Sequence, residues 1–462
     1  MEGVSCATFI SRGLTMSNVP MTLPHLALAV QENEFFHNST FAERSDGSIL
    51  HAAKQVFTTS ADGGLTWSEP HRKYDTNGDI VGGDNNSLVR LASNGVGLAT
   101  YGVEDDARKD VYWDMRAPYV KFWRSQDGGE TWEPPVRMTE KGAGAFMYQD
   151  VLLRTASGRI LMPVYLTYGQ YTFRTGEAWW GTGKLVNGHW VSTAAHFSDP
   201  SFSTVAVYYS DDDGRTWQRN KDGELVILLD TAMVFSHIGE PSVTEVYPGC
   251  LLMISRTGLG RLFQAWSYDN GETWTRPMPS SLASSPAPAQ IRTLPNGHLL
   301  CVWNQESEEE TRRGYNRTRL SSAISRNGGS VWEFFQNIES LHETTRVEPG
   351  PVRFHFPEER HSEPGRPAFE RDPSYVQPSI AHGRWSYPSV LVMKDRVLVA
   401  HTYGMYEEHH ELAQLNTPAR MPDHAGPKFN QKLKVLPLEW FYGGKKPADN
   451  PFLKRAHEAA VP

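Results

Sequence analysis

Apolar and polar residues alternate along most of the chain in short runs, and six stretches repeat one plan. They are NSTFAERSDGSILHAAK (38–54), NNSLVRLASNGVGLATYG (85–102), YQDVLLRTASGRILMPVY (148–165), GEPSVTEVYPGCLLMISR (239–256), APAQIRTLPNGHLLCVWN (287–304) and SYPSVLVMKDRVLVAHTY (386–403). Each is an apolar strand, a polar turn and a second apolar strand. Four of the six turns carry Asn-Gly, Asp-Gly or Ser-Gly. Short apolar runs bounded by such turns predict β-hairpins.

The first five hairpins are each followed by a second, whose turn is nearly constant: SADGGLTW (60–67), SQDGGETW (125–132), SDDDGRTW (210–217), SYDNGETW (267–274) and the altered SRNGGSVW (325–332). The pattern is Ser-x-Asp-x-Gly-x-Thr-Trp. Asp supplies the turn by accepting bonds from nearby backbone N–H groups, Gly by tolerating positive φ. Thr and Trp then open the next strand. The sixth hairpin is followed by a run without the motif, 433–441.

Two hairpins per unit make four antiparallel strands. Six such units, each able to bury a face only against its neighbours, predict an all-β, six-bladed β-propeller of four-stranded antiparallel blades. A β-sandwich would explain fewer than six equivalent copies and no period. The propeller is expected over 25–444, after an N-terminal extension (1–24) and before a C-terminal tail (445–462). Gly 39, Pro 30 and Trp 14 in 462 residues suit a turn-rich, aromatic β protein.

Charge narrows the partners. The net charge of -8 is interspersed, so the basic face that a nucleic acid needs is not expected. No run is long and apolar enough to predict a membrane span. Cys6, Cys250 and Cys301 cannot build a disulfide framework. The first 22 residues lack the basic-then-apolar plan of a secretory signal, so a cytoplasmic location is the expectation. No metal or nucleotide cofactor is expected: the histidines have no ligand spacing, and no Gly-rich loop precedes a helix.

In a propeller the first strand of every blade lines the central channel, so the six strand starts meet at one hub. They are His37/Asn38, Asp84/Asn85, Gln149/Asp150, Glu240, Pro288/Gln290 and Tyr387. Long insertions at 102–119, 167–203 and 339–382 interrupt the hairpins, and segments of this length are commonly functional. The second carries Tyr168, Tyr171, Glu177, Trp179, Trp180 and Trp190, the aromatic content of a wall on which a sugar could stack.

The Ser-x-Asp-x-Gly-x-Thr-Trp repeats resemble the Asp boxes of the sialidase (neuraminidase) superfamily, over nearly the whole chain. In that family a Tyr is the nucleophile and a Glu ionises it. The resemblance therefore implies Tyr387, in Ser386-Tyr387-Pro388-Ser389, as nucleophile and Glu240, in Gly239-Glu240-Pro241-Ser242, as its partner. A phenol needs such help because its ordinary pKa lies near 10. The family binds the substrate carboxylate with three arginines, whose planar forks suit the task. Arg256 matches one, and Arg319 or, second, Arg317 another. The third family arginine has no counterpart: Phe35-Phe36-His37-Asn38 stands there, leaving His37 or Asn38. The family's acid/base Asp is also missing, because 51–59 holds Lys54 and no carboxylate. Asp84 is the first replacement, Asp150 the second and Glu177 the third.

These residues imply an exo-acting glycoside hydrolase that releases a terminal, acidic sugar, sialic acid or a relative. Two alternatives stay open: a polysaccharide lyase acting on a uronate, and a carbohydrate-binding propeller without catalysis.

Overall fold

The alternation folds as expected, into hairpins stacked around an axis. The computed structural model describes residues 27–33, 36, 38–103, 118–141, 143–170, 183–186, 189–192, 199–227, 238–312, 317–340, 342–352, 361–362, 381–407 and 430–444. These are all-β apart from the short helix Glu308–Arg312 and the 3-10 turn Leu438–Tyr442.

Six antiparallel blades follow in chain order. Blade 1 is Thr40–Glu43, Ile49–Ala53 and Val56–Ser60, with Phe57 bridging to His71 at its outer edge. Blade 2 is Asn86–Arg90, Val96–Val103, Pro118–Ser125 and Val136–Arg137. Blade 3 is Leu153–Arg154, Ile160–Gln170, Asp199–Ser210 and Gln218–Arg219. Blade 4 is Ile238–Tyr247, Cys250–Thr257, Arg261–Ser267 and Met278–Ala283. Blade 5 is Gln290–Thr293, Leu299–Asn304, Arg319–Ser325 and Glu333–Ser340. Blade 6 departs from the simple repeat. The 433–441 run gives one strand, Asn430–Pro437, and then the 3-10 turn. The outermost strand, Ala29–Glu32, comes from the other end of the chain and pairs antiparallel with it.

Six apolar clusters hold the ring, one at each seam. Phe57, Trp123 and Trp132 pack between blades 1 and 2, and Phe41, Leu398 and Val435 between blades 1 and 6. The repeated turns serve these seams. In the first, the Asp62 carboxylate accepts the N–H groups of Leu65 and Thr66 and the hydroxyls of Ser60 and Thr66. That frame presents a bare glycine to the preceding blade. A Cβ on Gly214 would lie 2.2 Å from the Phe122 ring, and its φ of +83° already favours glycine. The equivalent Gly64, Gly129, Gly271 and Gly329 face Leu398, Leu50, Leu161 and Leu252, so the contact recurs at every seam except that between blades 5 and 6.

The insertions also meet. His189–Ser192, paired with Gly183–Val186, adds His361–Ser362 as a third strand. The blade 3 insertion and the connection between blades 5 and 6 therefore share one small sheet.

Candidate active site at the hub

Four of the six strand starts hold non-glycine residues in left-handed backbone: Asn38 (φ 48°), Asp150 (φ 57°), Glu240 (φ 42°) and Tyr387 (φ 53°). For side chains of this size the conformation is costly, and it persists where packing and function enforce it. Pairing slips between Gly239 and Ser242 in blade 4, and between Ser386 and Ser389 in blade 6. Such bulges re-aim a side chain out of the regular alternation.

Glu240 and Arg256 stand on the same hairpin and are both buried, with Arg256 Nη1 2.7 Å from Glu240 Oε2. Burial works against the Arg256 charge, but the Glu240 carboxylate more than restores it, so its pKa stands above the ordinary value. Tyr387 is half-buried beside them. The Arg317 guanidinium carbon lies 5.0 Å from its ring centroid. The Tyr148 ring lies parallel to it, 4.9 Å away at 7°. Burial opposes ionisation of Tyr387, and so does the Glu240 charge. Arg317 and Arg256 outweigh both, and the Tyr387 pKa falls below that of an ordinary phenol. Tyr148 moves the opposite way, held well up by burial and by the Tyr387 and Glu240 charges beside it.

The hub thus brings together Tyr387, Glu240 and Arg256, as their strand positions implied. The contacts differ from expectation: Glu240 is bonded to Arg256, and the Tyr387 ring is stacked on Tyr148. Of the two neighbouring arginines, Arg317 faces Tyr387. Arg319 is fully buried among the blade 5 connections, with Nη1 and Nη2 at 3.1 and 2.7 Å from the two Glu310 oxygens. Its fork is committed to the short helix Glu308–Arg312, which no pattern in the sequence announces.

Asp150 is at the hub but its carboxylate is occupied. It accepts Arg292 Nη2 at 2.9 Å, the Val390 N–H at 2.8 Å and the Thr40 hydroxyl at 3.1 Å. Burial raises its pKa, and Arg292 works against that rise. Arg292 also donates to the Val390 carbonyl, so the pair staples blades 1, 3, 5 and 6 together. In the sequence it was one arginine within the first strand of the fifth hairpin, Gln290–Thr293. Asp84 stays exposed at the rim, and Asn38 Nδ2 donates to its carbonyl and to Asn85 Oδ1. The segment that carries the family's acid elsewhere is here a two-residue turn, Lys54–Gln55, between paired Ala53 and Val56. It leaves no length for a carboxylate loop. His37, Glu177, Trp179 and Trp180 lie outside the described residues. Among the described residues no cluster of three or more His, Cys, Asp or Glu could hold a metal, and no helix is long and apolar enough to cross a membrane. Cys250 and Cys301 are buried free thiols.

Six blades, five of them with Asp-box turns, around a Tyr, Glu and Arg cluster define a propeller of the sialidase type. Residues 84–399 match the BNR repeat-like domain, and the chain belongs to that family. No curated protein matches it by sequence. Among solved structures, a protein of unknown function from Dyadobacter fermentans is similar at 17% identity and a TM-score of 0.52, covering 89% of this chain and 98% of that one. A Hadza microbial sialidase is similar at 13% identity and a TM-score of 0.50, covering 90% of this chain and 67% of its own. A leech intramolecular trans-sialidase has the same score and identity, 0.50 and 13%, and covers 96% of this chain and 74% of its own. The fold and family support a glycoside hydrolase-like or carbohydrate-binding role for the hub.

Proposed function

We propose that the protein is a glycosidase that releases a terminal acidic sugar at this hub. Tyr387 is the nucleophile, and Arg256 and Arg317 face the sugar carboxylate. The observation that carries this reading is a half-buried tyrosine under one buried guanidinium and in the field of a second, with its pKa lowered. A phenol avoids the repulsion that a carboxylate nucleophile would meet at an anionic sugar. In the first step the Tyr387 oxygen bonds to the anomeric carbon as the glycosidic carbon–oxygen bond breaks. The Tyr387 proton passes toward Glu240, and the departing oxygen takes a proton from an acid at the rim, for which exposed Asp84 stands in place. Water then cleaves the tyrosyl–sugar bond and the protons return.

A second reading has its own support. Glu240 is bonded to Arg256 and not to the phenol, and Tyr387 lies beside Arg317 with its pKa lowered. That arrangement also suits a phenolate base removing the proton next to a uronate carboxylate whose charge the arginines neutralise. This would be a lyase, whose product carries a new carbon–carbon double bond.

A panel of aryl glycosides of acidic and neutral sugars, with uronate polysaccharides alongside, decides between them. The glycosidase reading expects release of the aryl group from acidic sugars only, lost in Tyr387→Phe. A product absorbing in the near ultraviolet would transfer the site to the lyase reading. Glycan binding that survives Tyr387→Phe, with no turnover by the unaltered protein on any substrate, would leave only a binding propeller.

A further inference from the structure

Three consecutive residues of blade 3 grip the segment that carries Tyr387. The Tyr148 ring stacks flat on the Tyr387 ring. Gln149 Nε2 donates to the Tyr387 carbonyl at 3.2 Å. Asp150 accepts the Val390 N–H, three residues further on, and is itself held in left-handed backbone and anchored by Arg292. A bulge between Ser386 and Ser389 is thus clamped at both ends from across the channel. Such clamping keeps a side chain in one geometry without reorganisation when charge develops on it.

We propose that Tyr148 is a positioning residue for the reactive phenol: its ring lies flat on that of Tyr387 and fixes its plane beside the Arg317 guanidinium, while Gln149 and Asp150 hold the backbone on either side. The inference rests on the reading of Tyr387 as the reactive group, and holds for it either as nucleophile or as base. The charged and titratable groups facing the pair are Arg317 just before the third strand of blade 5, Glu240 and Arg256 on blade 4 and Tyr165 on blade 3. The guanidiniums favour the phenolate and Glu240 opposes it. The Tyr148 ring is the neutral surface that holds the phenol in that field. It can do so without adding a charge that would compete for an anionic sugar.

The test is an ultraviolet difference titration of phenolate in the unaltered protein, in Tyr148→Phe, in Tyr148→Leu and in Tyr387→Phe. The 18 tyrosines include one expected to ionise below the rest. Tyr387→Phe should remove that transition. Tyr148→Phe keeps the flat ring, so the unfolding midpoint and the early transition should both hold. Tyr148→Leu loses the ring and frees the phenol to leave the guanidinium, so the early transition should move up by about one pH unit, the scale of one nearby opposite charge. The limb of the pH–rate profile set by Tyr387 should move by the same amount. An early transition that stays put in Tyr148→Leu would overturn the proposal. The titration needs no substrate, so a shift without turnover on any sugar keeps the phenol pair and rejects the glycosidase reading. Turnover with an unmoved transition does the reverse.

Discussion

At the scale of single residues, Arg317 and Arg319 show how two side chains of one kind, two positions apart, acquire different work. Arg319 opens the strand Arg319–Ser325 and turns back onto the preceding connection of its own blade, where Glu310 takes its fork. Burial alone would push Glu310 up, but Arg319 pulls its carboxyl below the ordinary value. Arg317 precedes the strand in left-handed backbone (φ 62°), so it escapes the alternation and reaches the hub. Truncating one partner of a buried pair strands the other charge, at a cost of about 3 kcal/mol or more. Arg319→Ala is therefore expected to lower the unfolding free energy by about that much in a denaturant titration. Arg317→Gln should instead spare the unfolding midpoint and raise the Tyr387 transition, because the largest influence favouring its ionisation is gone. A stable Arg319→Ala beside an Arg317→Gln with an unmoved phenol would reverse the roles of the two arginines. The crowd of Arg312, Arg313, Arg317 and Arg319 made this choice illegible from sequence: alternation places a residue only where backbone is regular, and the φ at 317 is not encoded in any local pattern.

The elements were far more legible, because a repeated local pattern states its own geometry. Every Ser-x-Asp turn was readable as a hairpin, and so was the altered fifth copy, where Asn327 still accepts the Ser325 hydroxyl and the Val331 N–H. Tyr387, Glu240 and Arg256 were readable for the same reason, since strand starts and their hairpin partners must meet at a channel. Tyr148 was not singled out, although it directly precedes the strand-start pair Gln149/Asp150, because a stacked pair from blades 3 and 6 is a long-range fact. The turns also make a pH prediction. Burial opposes the charge of Asp62. The Thr66 hydroxyl and N–H groups, the Ser60 hydroxyl and the Leu65 N–H outweigh it, lowering the pKa from 3.8 to about 2. Asp127 behaves alike, and Asp212 and Asp269 shift in the same direction. A carboxylate lowered on folding adds stability that is complete above the unfolded value and lost as pH falls toward the folded one. The melting temperature should thus hold above about pH 5 and fall between about pH 4 and pH 2. Replacing the four acidic turn residues with Asn, as position 327 already has, should flatten that fall at the cost of a lower plateau. An unchanged slope would mean that other carboxylates govern the acid limb.

At the scale of the whole molecule, the ring had to close somewhere, and the repeat alone did not say how. Blade 6 lacks the box that gives the other blades their last hairpin, and Ala29–Glu32 fills the gap by pairing with Asn430–Pro437. Gln31 Nε2 also donates to the Gly64 and Leu65 carbonyls of the blade 1 turn, joining first and last blades through one strand. Glu32 meets Lys432, whose ammonium also reaches buried Glu339 across the seam with blade 5. Burial disfavours charge on Glu339, yet Lys434, Lys432 and His401 bring its carboxyl below the ordinary range, so this seam adds a buried ionic cluster to its apolar one. A four-residue strand is too short to be read from alternation, which is why only the sixth unit's missing box pointed to it. Removing residues 1–33 should expose the Asn430–Pro437 edge, a template for pairing with another chain. The truncated protein is expected to unfold at lower temperature and to self-associate with rising concentration in sedimentation velocity. The hub lies at the inner strands and the lost strand at the outer edge, so the Tyr387 transition should persist in whatever monomer remains. A truncated chain that stays monomeric with an unchanged midpoint would show that the seam between blades 1 and 6 closes through Phe41, Leu398 and Val435 without its terminal strand.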